Sequence, residues 1–138
     1  MPVPDPHLAY TTLIIDDDES IRHMLNVVLS RTWAFRVVGE APDAPAAIAL
    51  LDDPSFPRPD VILLDFLMPK MTGAEAEPEL RKRAPGTKII VLTVVPERCE
   101  EVPGRDGCVD KALLPAQLVH ELYHVVSGST PSDEDLFT

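Results

Sequence analysis

The chain is short of basic charge, cysteine and long apolar runs, and each shortage closes off a class of protein. Twelve Lys and Arg face 23 Asp and Glu, for a formal net charge of -11. That is the reverse of the basic footprint left by direct nucleic-acid binding, so no such binding is expected. The apolar stretches fall far short of the roughly 20 residues that span a bilayer, which argues against membrane insertion. Cys99 and Cys108 stand nine apart without metal-type spacing, and no secretory leader precedes the first apolar run. A reducing cytoplasm is therefore the expected compartment. A glycine-rich phosphate loop is also missing. The first apolar run leads instead into Asp16-Asp17-Asp18-Glu19, which would repel a phosphate unless a cation intervened.

What the chain does have is enough length for one self-sufficient domain, since 138 residues bury roughly two-thirds of their unfolded surface. Residues 1–10 carry three prolines, and residues 127–138 are Ser/Thr/Gly-rich before Asp133-Glu134-Asp135, so both ends read as tails around a folded span of 11–126. Within that span Asp18 is placed to cap a helix whose Ile21, Met24, Leu25, Val28 and Leu29 recur at helical spacing. A strand is expected over 35–40, and a short helix over 46–51 behind a cap at Asp43. Further strands are expected over 61–65, 88–93 and about 108–111. A helix of suitable composition over 73–83 contains Pro78, which should kink it or delay its start, and Pro115 is placed to open a last helix to Val126. The segment 94–106 has room for at most about two helical turns between its prolines. Strands alternating with helices imply a parallel sheet covered on both faces.

Four apolar runs end on residues suited to phosphate chemistry: Leu13-Ile14-Ile15 into Asp16-Asp17, Val61 to Leu64 into Asp65, Ile89 to Leu92 into Thr93, and Val109 towards Lys111. In an open parallel sheet, ligands bind beyond the carboxyl ends of the strands, so these groups would meet in one pocket. Asp16, Asp17 and Asp65 would repel one another without a cation, and hard oxygen donors of this kind suit Mg2+. A strand-end carboxylate such as Asp65 can act as a nucleophile towards phosphorus and form an aspartyl phosphate. Lys111 can neutralise the transferred group and Thr93 can donate to one of its oxygens. Singly, Asp and Thr at strand ends are ordinary turn formers. Four complementary groups at four strand ends make a site the stronger reading.

At these residues the sequence resembles the receiver domains of two-component response regulators. The resemblance rests on Leu13-Ile14-Ile15-Asp16-Asp17, Asp65-Phe66-Leu67-Met68-Pro69 followed by Gly73, Val91-Leu92-Thr93, and Gly107-Cys108-Val109-Asp110-Lys111. It implies an α/β, flavodoxin-like, doubly wound five-stranded parallel sheet of strand order 2-1-3-4-5 with helices on both faces. By position it makes Asp65 the phosphoacceptor, Asp17 the main carboxylate ligand of Mg2+ and Asp16 its water-mediated partner. The backbone carbonyl of Leu67 completes the metal site, Thr93 is the switch hydroxyl and Lys111 the phosphate-pairing lysine. It further implies a switch with self-catalysed phosphotransfer and dephosphorylation, not a multiple-turnover enzyme. The donor would be a sensor histidine kinase or a histidine phosphotransfer protein, and the response would pass by protein contacts to an unknown downstream target. Four positions depart from the family pattern. Ala112 follows the lysine where proline is usual, Cys108 stands at the aromatic switch position, Val94 is bulkier than the usual small residue, and the segment of the fourth helix is short and proline-bound.

Two rival readings are weaker. A receiver-like scaffold that does not signal by phosphate would be consistent with Cys108 and Val94 but leaves the intact set of five polar residues unexplained. His120-Glu121-Leu122-Tyr123-His124 matches the H-E-x-x-H pattern of zinc hydrolases. At about 100° per residue, however, His120, Glu121 and His124 fall opposite the apolar arc of Leu118, Val119, Leu122, Val125 and Val126, so they should face solvent, and few residues remain downstream for a third ligand. His7 and His23 read as surface residues.

Overall fold

The structure, a computed structural model, describes residues 9–115, 117–128 and 136. Five parallel strands, β1 (Tyr10–Ile15), β2 (Phe35–Ala41), β3 (Val61–Asp65), β4 (Lys88–Thr93) and β5 (Gly107–Asp110), form one sheet in the order β2-β1-β3-β4-β5. The connections are α1 (Glu19–Ser30), α2 (Ala44–Asp52) and α3 (Gly73–Arg83), then a six-residue 3-10 helix, Pro96–Glu101. A short 3-10 turn, Lys111–Leu113, leads to α4 (Leu118–Ser127).

The sheet forms where the sequence is continuously apolar because a parallel strand covered on both faces has no polar side. All five residues of β3 are buried, and successive residues serve opposite layers. Ile14, Leu63, Ile90 and Leu92 meet α1 and α4 through Leu25, Leu29, Leu118, Val119 and Leu122. Leu13, Ile15, Ile62 and Leu64 meet α2 and α3 through Ala44, Ala47, Ala76 and Leu80. At the amino-terminal edge of the sheet Tyr10 packs on Phe35 with ring centroids 5.8 Å apart, and Tyr123 of α4 receives Tyr10 and Trp33 edge-on. Leu136, inside the span expected to be an acidic tail, is fully buried in the α1 and α4 layer; most of both expected tails, and His7, lie outside the described residues.

The caps explain why each helix begins where it does. Asp18 accepts the N–H groups of Ser20 and Ile21, and Asp43 accepts that of Ala46. The expectation that Pro78 would delay or kink α3 is corrected in its first part. The helix starts at Gly73, because Thr72 and Glu75 form a reciprocal capping box that fixes the first turn upstream of the proline. The start of α4 is also corrected, to Leu118. Pro115 stays outside it, joined to Leu114 by a cis peptide bond, and Gly128 closes the helix at φ 76°, a left-handed conformation that glycine adopts without a Cβ clash.

Register sets the level of the strand ends. Ile15 pairs with Leu64, Asp65 with Leu92 and Thr93 with Asp110. Asp16 and Asp65 therefore lie side by side, Thr93 one step beyond, and Lys111 one step beyond Asp110. The right-hand neighbours of the chemistry are fixed by backbone pairing before any side chain is considered.

Candidate functional site

The groups expected at the four strand ends are brought together. Asp16 is fully buried after β1, and its Oδ1 accepts the Asp18 N–H at 2.9 Å. Its carbonyl accepts from Arg22 Nη1 at 2.7 Å, and Arg22 is held in turn by Glu40 at 3.3 Å. Asp17 is exposed beside it. One carboxylate oxygen from each of Asp16, Asp17 and Asp65 lies within 4.8 Å of the others. Lys111 reaches across from β5, with Nζ donating to Asp65 Oδ1 at 2.9 Å and lying 2.8 Å from Asp16 Oδ2. The second of these contacts is an ion pair, and Lys111 is the polar neighbour of the buried Asp16 Oδ2.

Charge is finely opposed here. Burial pushes the Asp65 carboxyl up to about 7 from 3.8, the Asp16 charge adds to the rise, and Lys111 works against it. For Lys111 burial disfavours the ammonium, but the two carboxylates outweigh burial and hold its pKa above the ordinary value. Three clustered carboxyl groups, two of them buried and compensated by a single ammonium, make a donor set that a hard dication fits, and Mg2+ prefers such oxygen ligands.

These groups line a cavity of about 240 Å³ with Thr93, Val94 and Leu67 at its rim. Thr93 is nearly buried, and its Oγ1 accepts the Val95 N–H at 3.0 Å. Val94 and Leu67 are 65% and 46% exposed, so two apolar side chains share the mouth with the exposed Asp17 and Asp18. A larger cavity of about 400 Å³ beside Trp33 and Arg36 has no carboxylate in its lining.

Three features of the site escaped the sequence. Arg22 anchors the Asp16 backbone from six residues away; only its place on the polar face of α1 hinted at it. Gly73 lets α3 start hard against the site, since a Cβ there would stand 3.0 Å from Phe66 Cα and 3.3 Å from the Asp65 carbonyl oxygen. The third is a correction. Cys99 and Cys108, expected as reduced residues, are joined in a disulfide with Cα atoms 6.5 Å apart, because the 3-10 helix folds back beside β5. Their spacing of nine gave no sign of this. The rival zinc motif finds no support. His120 is half-buried and His124 exposed on α4, and the only group of three ligating side chains among the described residues is Asp16, Asp17 and Asp65. His23 is exposed on α1.

Comparison with known proteins agrees with this geometry. The family model for the response regulator receiver domain matches residues 12–123. The response regulator protein VraR of Staphylococcus epidermidis is 35% identical over 107 residues, covering 78% of this chain and 50% of VraR; the chain thus spans about half the length of the curated relatives it matches. Among solved structures, the signal receiver domain of NarL from Mycobacterium tuberculosis superposes with TM-score 0.76 at 26% identity, covering 88% of this chain and 98% of that one. Chemotaxis protein CheY4 of Vibrio cholerae gives 0.72 at 32% identity over 85% and 98%. The sheet order, the acidic cluster and these matches converge, and the chain belongs to the response regulator receiver domain family.

Proposed function

We propose that Asp65 is the phosphoacceptor of a phosphorelay switch, loaded by a phosphohistidine of a sensor histidine kinase or histidine phosphotransfer protein. The observation that carries this is Asp65 itself: a buried strand-end carboxylate with an ammonium at 2.9 Å and two more carboxylates within reach of a shared cation. In the transfer, a carboxylate oxygen of Asp65 forms a bond to phosphorus as the phosphorus–nitrogen bond breaks, and the imidazole leaves with the bonding pair and takes up a proton. A bound Mg2+ would supply the positive charge that ionises Asp65 and offsets the phosphoryl oxygens. Asp17, Asp65 and the Leu67 carbonyl would hold it, with Asp16 acting through water. Lys111, already at Asp65 Oδ1, is positioned to follow the new phosphoryl oxygen. Thr93 Oγ1 can leave the Val95 N–H to donate to another.

Phosphotransfer and hydrolysis are self-catalysed in this reading, and the output passes by protein contact to a downstream target. The receiver takes in the expected span 11–126 and reaches beyond it at both ends, to Tyr10 of β1, Ser127 of α4 and the buried Leu136, and the compartment in this reading is the cytoplasm. No helix among the described residues is long and apolar enough to cross a membrane. Incubation with acetyl phosphate and Mg2+ followed by intact mass measurement tests the assignment. One hydroxylamine-labile phosphoryl adduct is expected, absent in Asp65→Asn and strongly reduced in Asp17→Asn. An adduct of equal stoichiometry in Asp65→Asn would overturn it in favour of a scaffold that does not signal by phosphate at this residue.

A further inference from the structure

We propose that Cys99 and Cys108 form a reversible thiol–disulfide site whose redox state sets how far a phosphoryl group on Asp65 can move the Pro96–Glu101 helix; the proposal rests on the phosphoacceptor reading above. The two sulfurs join the one segment that the site can pull to the strand beside it. Thr93 Oγ1 holds the Val95 N–H at 3.0 Å, and Pro96 opens the 3-10 helix that carries Cys99. When Thr93 turns to a phosphoryl oxygen it gives up the Val95 N–H, and the turn at Val94 and Val95 loses the hydrogen bond that holds it against the end of β4. The next covalent tie is Cys99, joined to Cys108 of β5.

Packing reinforces the same path. Cys99 is buried with Phe66, Val91 and Val102, so its neighbours are the residue after Asp65 and a residue of β4 two before Thr93. Arg98 lies over the Phe66 ring at 4.8 Å. The disulfide therefore stands where movement would have to pass. A cross-link restricts the open forms of the segment it closes more than the closed form. The oxidised receiver keeps the helix in place after phosphorylation, and the reduced receiver releases it.

Access favours exchange at one sulfur. Cys108 is half-buried and lines a separate cavity of about 210 Å³ with Pro96, Asp110, Leu113 and Glu121, whereas Cys99 is only 4% exposed. A thiolate of a small dithiol, or of a protein dithiol, attacks the Cys108 sulfur. The sulfur–sulfur bond breaks, and Cys99 leaves as a thiolate that takes up a proton. The second sulfur of the dithiol then displaces Cys108, so two electrons pass to the pair and the dithiol ends as its own disulfide. Exchange with a low-molecular-weight disulfide runs the same steps backwards. In a reducing compartment, disulfides that do form are usually transient or sensing, which is the behaviour this site requires.

Hydrogen exchange on the full chain tests the proposal, using samples oxidised with a low-molecular-weight disulfide or reduced with dithiothreitol, each with and without Mg2+ and beryllofluoride. Iodoacetamide added in denaturant should modify no cysteine of the oxidised sample and two of the reduced one. The beryllofluoride complex should open residues 94–101 roughly tenfold more often when reduced than when oxidised. Cys99→Ala with Cys108→Ala should match the reduced protein under both conditions, and if that variant fails to fold the wild-type comparison alone decides. Two alkylated cysteines after oxidation, or equal exchange in both redox states, would overturn the proposal. A parallel acetyl phosphate reaction separates it from its premise. A normal adduct with redox-independent exchange removes this inference alone, whereas no adduct in either redox state removes the phosphoacceptor reading and this inference with it.

Discussion

Removing the charge of Asp65 should make the metal-free protein more stable, and more so as pH rises. Its carboxyl is pushed up to about 7 from 3.8, first by burial and then by Asp16, with Lys111 in opposition. A raised native pKa means the folded state holds the proton more tightly than the unfolded one. The stabilisation is complete below the unfolded pKa and is lost as pH climbs through the native value. A difference of about three pK units would cost at most ~4 kcal/mol above neutrality, at 1.36 kcal/mol per unit. The carboxylate opens on a solvent-accessible cavity and is paired with Lys111, so screening reduces this to about 1–2 kcal/mol. For a chain of this size that is roughly 5 °C in Tm. Asn keeps the shape and can still accept from Lys111, whose other partner, Asp16, remains. Thermal melts in a metal chelator should therefore show Asp65→Asn about 5 °C above wild type near pH 8, with the gap down to about a third near pH 5. Millimolar Mg2+ should narrow the gap near pH 8 by binding wild type better. A gap that is the same at both pH values, or a wild type more stable than Asp65→Asn near pH 8, would refute the claim that the site holds a carboxylate at a cost.

Leu67 at the cavity mouth and Val95, two residues after Thr93, carry no group that could orient an attacking water, so a long-lived phosphorylated state is expected. Leu67→Asn with Val95→Glu should shorten the adduct's half-life about tenfold, equal to roughly 1.4 kcal/mol in barrier, measured by mass spectrometry after donor removal; an unchanged half-life counts against it. Leu136 is fully buried in the α1 and α4 layer, so Leu136→Ala should destabilise the chain by about 2–4 kcal/mol in urea unfolding, and a change below ~0.5 kcal/mol would show that it contributes no core packing.

Much of the fold was legible because its signals are local. Central parallel strands such as Val61–Asp65 must be apolar throughout, and Asp18 and Asp43 cap the helices that follow them within three residues. The site was legible for a related reason: each short apolar run ends on its polar residue, and the strand register sets Asp16 beside Asp65 with Thr93 and Lys111 one and two steps beyond. What was hidden depends on how distant segments meet. The pairing of Cys99 with Cys108 follows from the return path of a 3-10 helix that no periodicity announces. The start of α3 turned on the Thr72–Glu75 capping box, which local reading weighed too lightly against Pro78. Leu136 and Phe137 follow Asp133-Glu134-Asp135, and the acidic run outweighed one short apolar pair in the reading of that segment as a tail.

The chain's single tryptophan belongs to the cluster at the amino-terminal edge of the sheet, where Trp33 meets Tyr123 at 6.0 Å between centroids. The six residues of β1 separate that edge from Asp16, a span of roughly 20 Å at about 3.3 Å per residue. The proposed cation and phosphoryl sites lie at the other edge. The indole is thus a built-in gauge of global unfolding, deaf to chemistry at the carboxylates, and its emission can follow melting in the presence of Mg2+ or phosphodonor without correction for a binding signal.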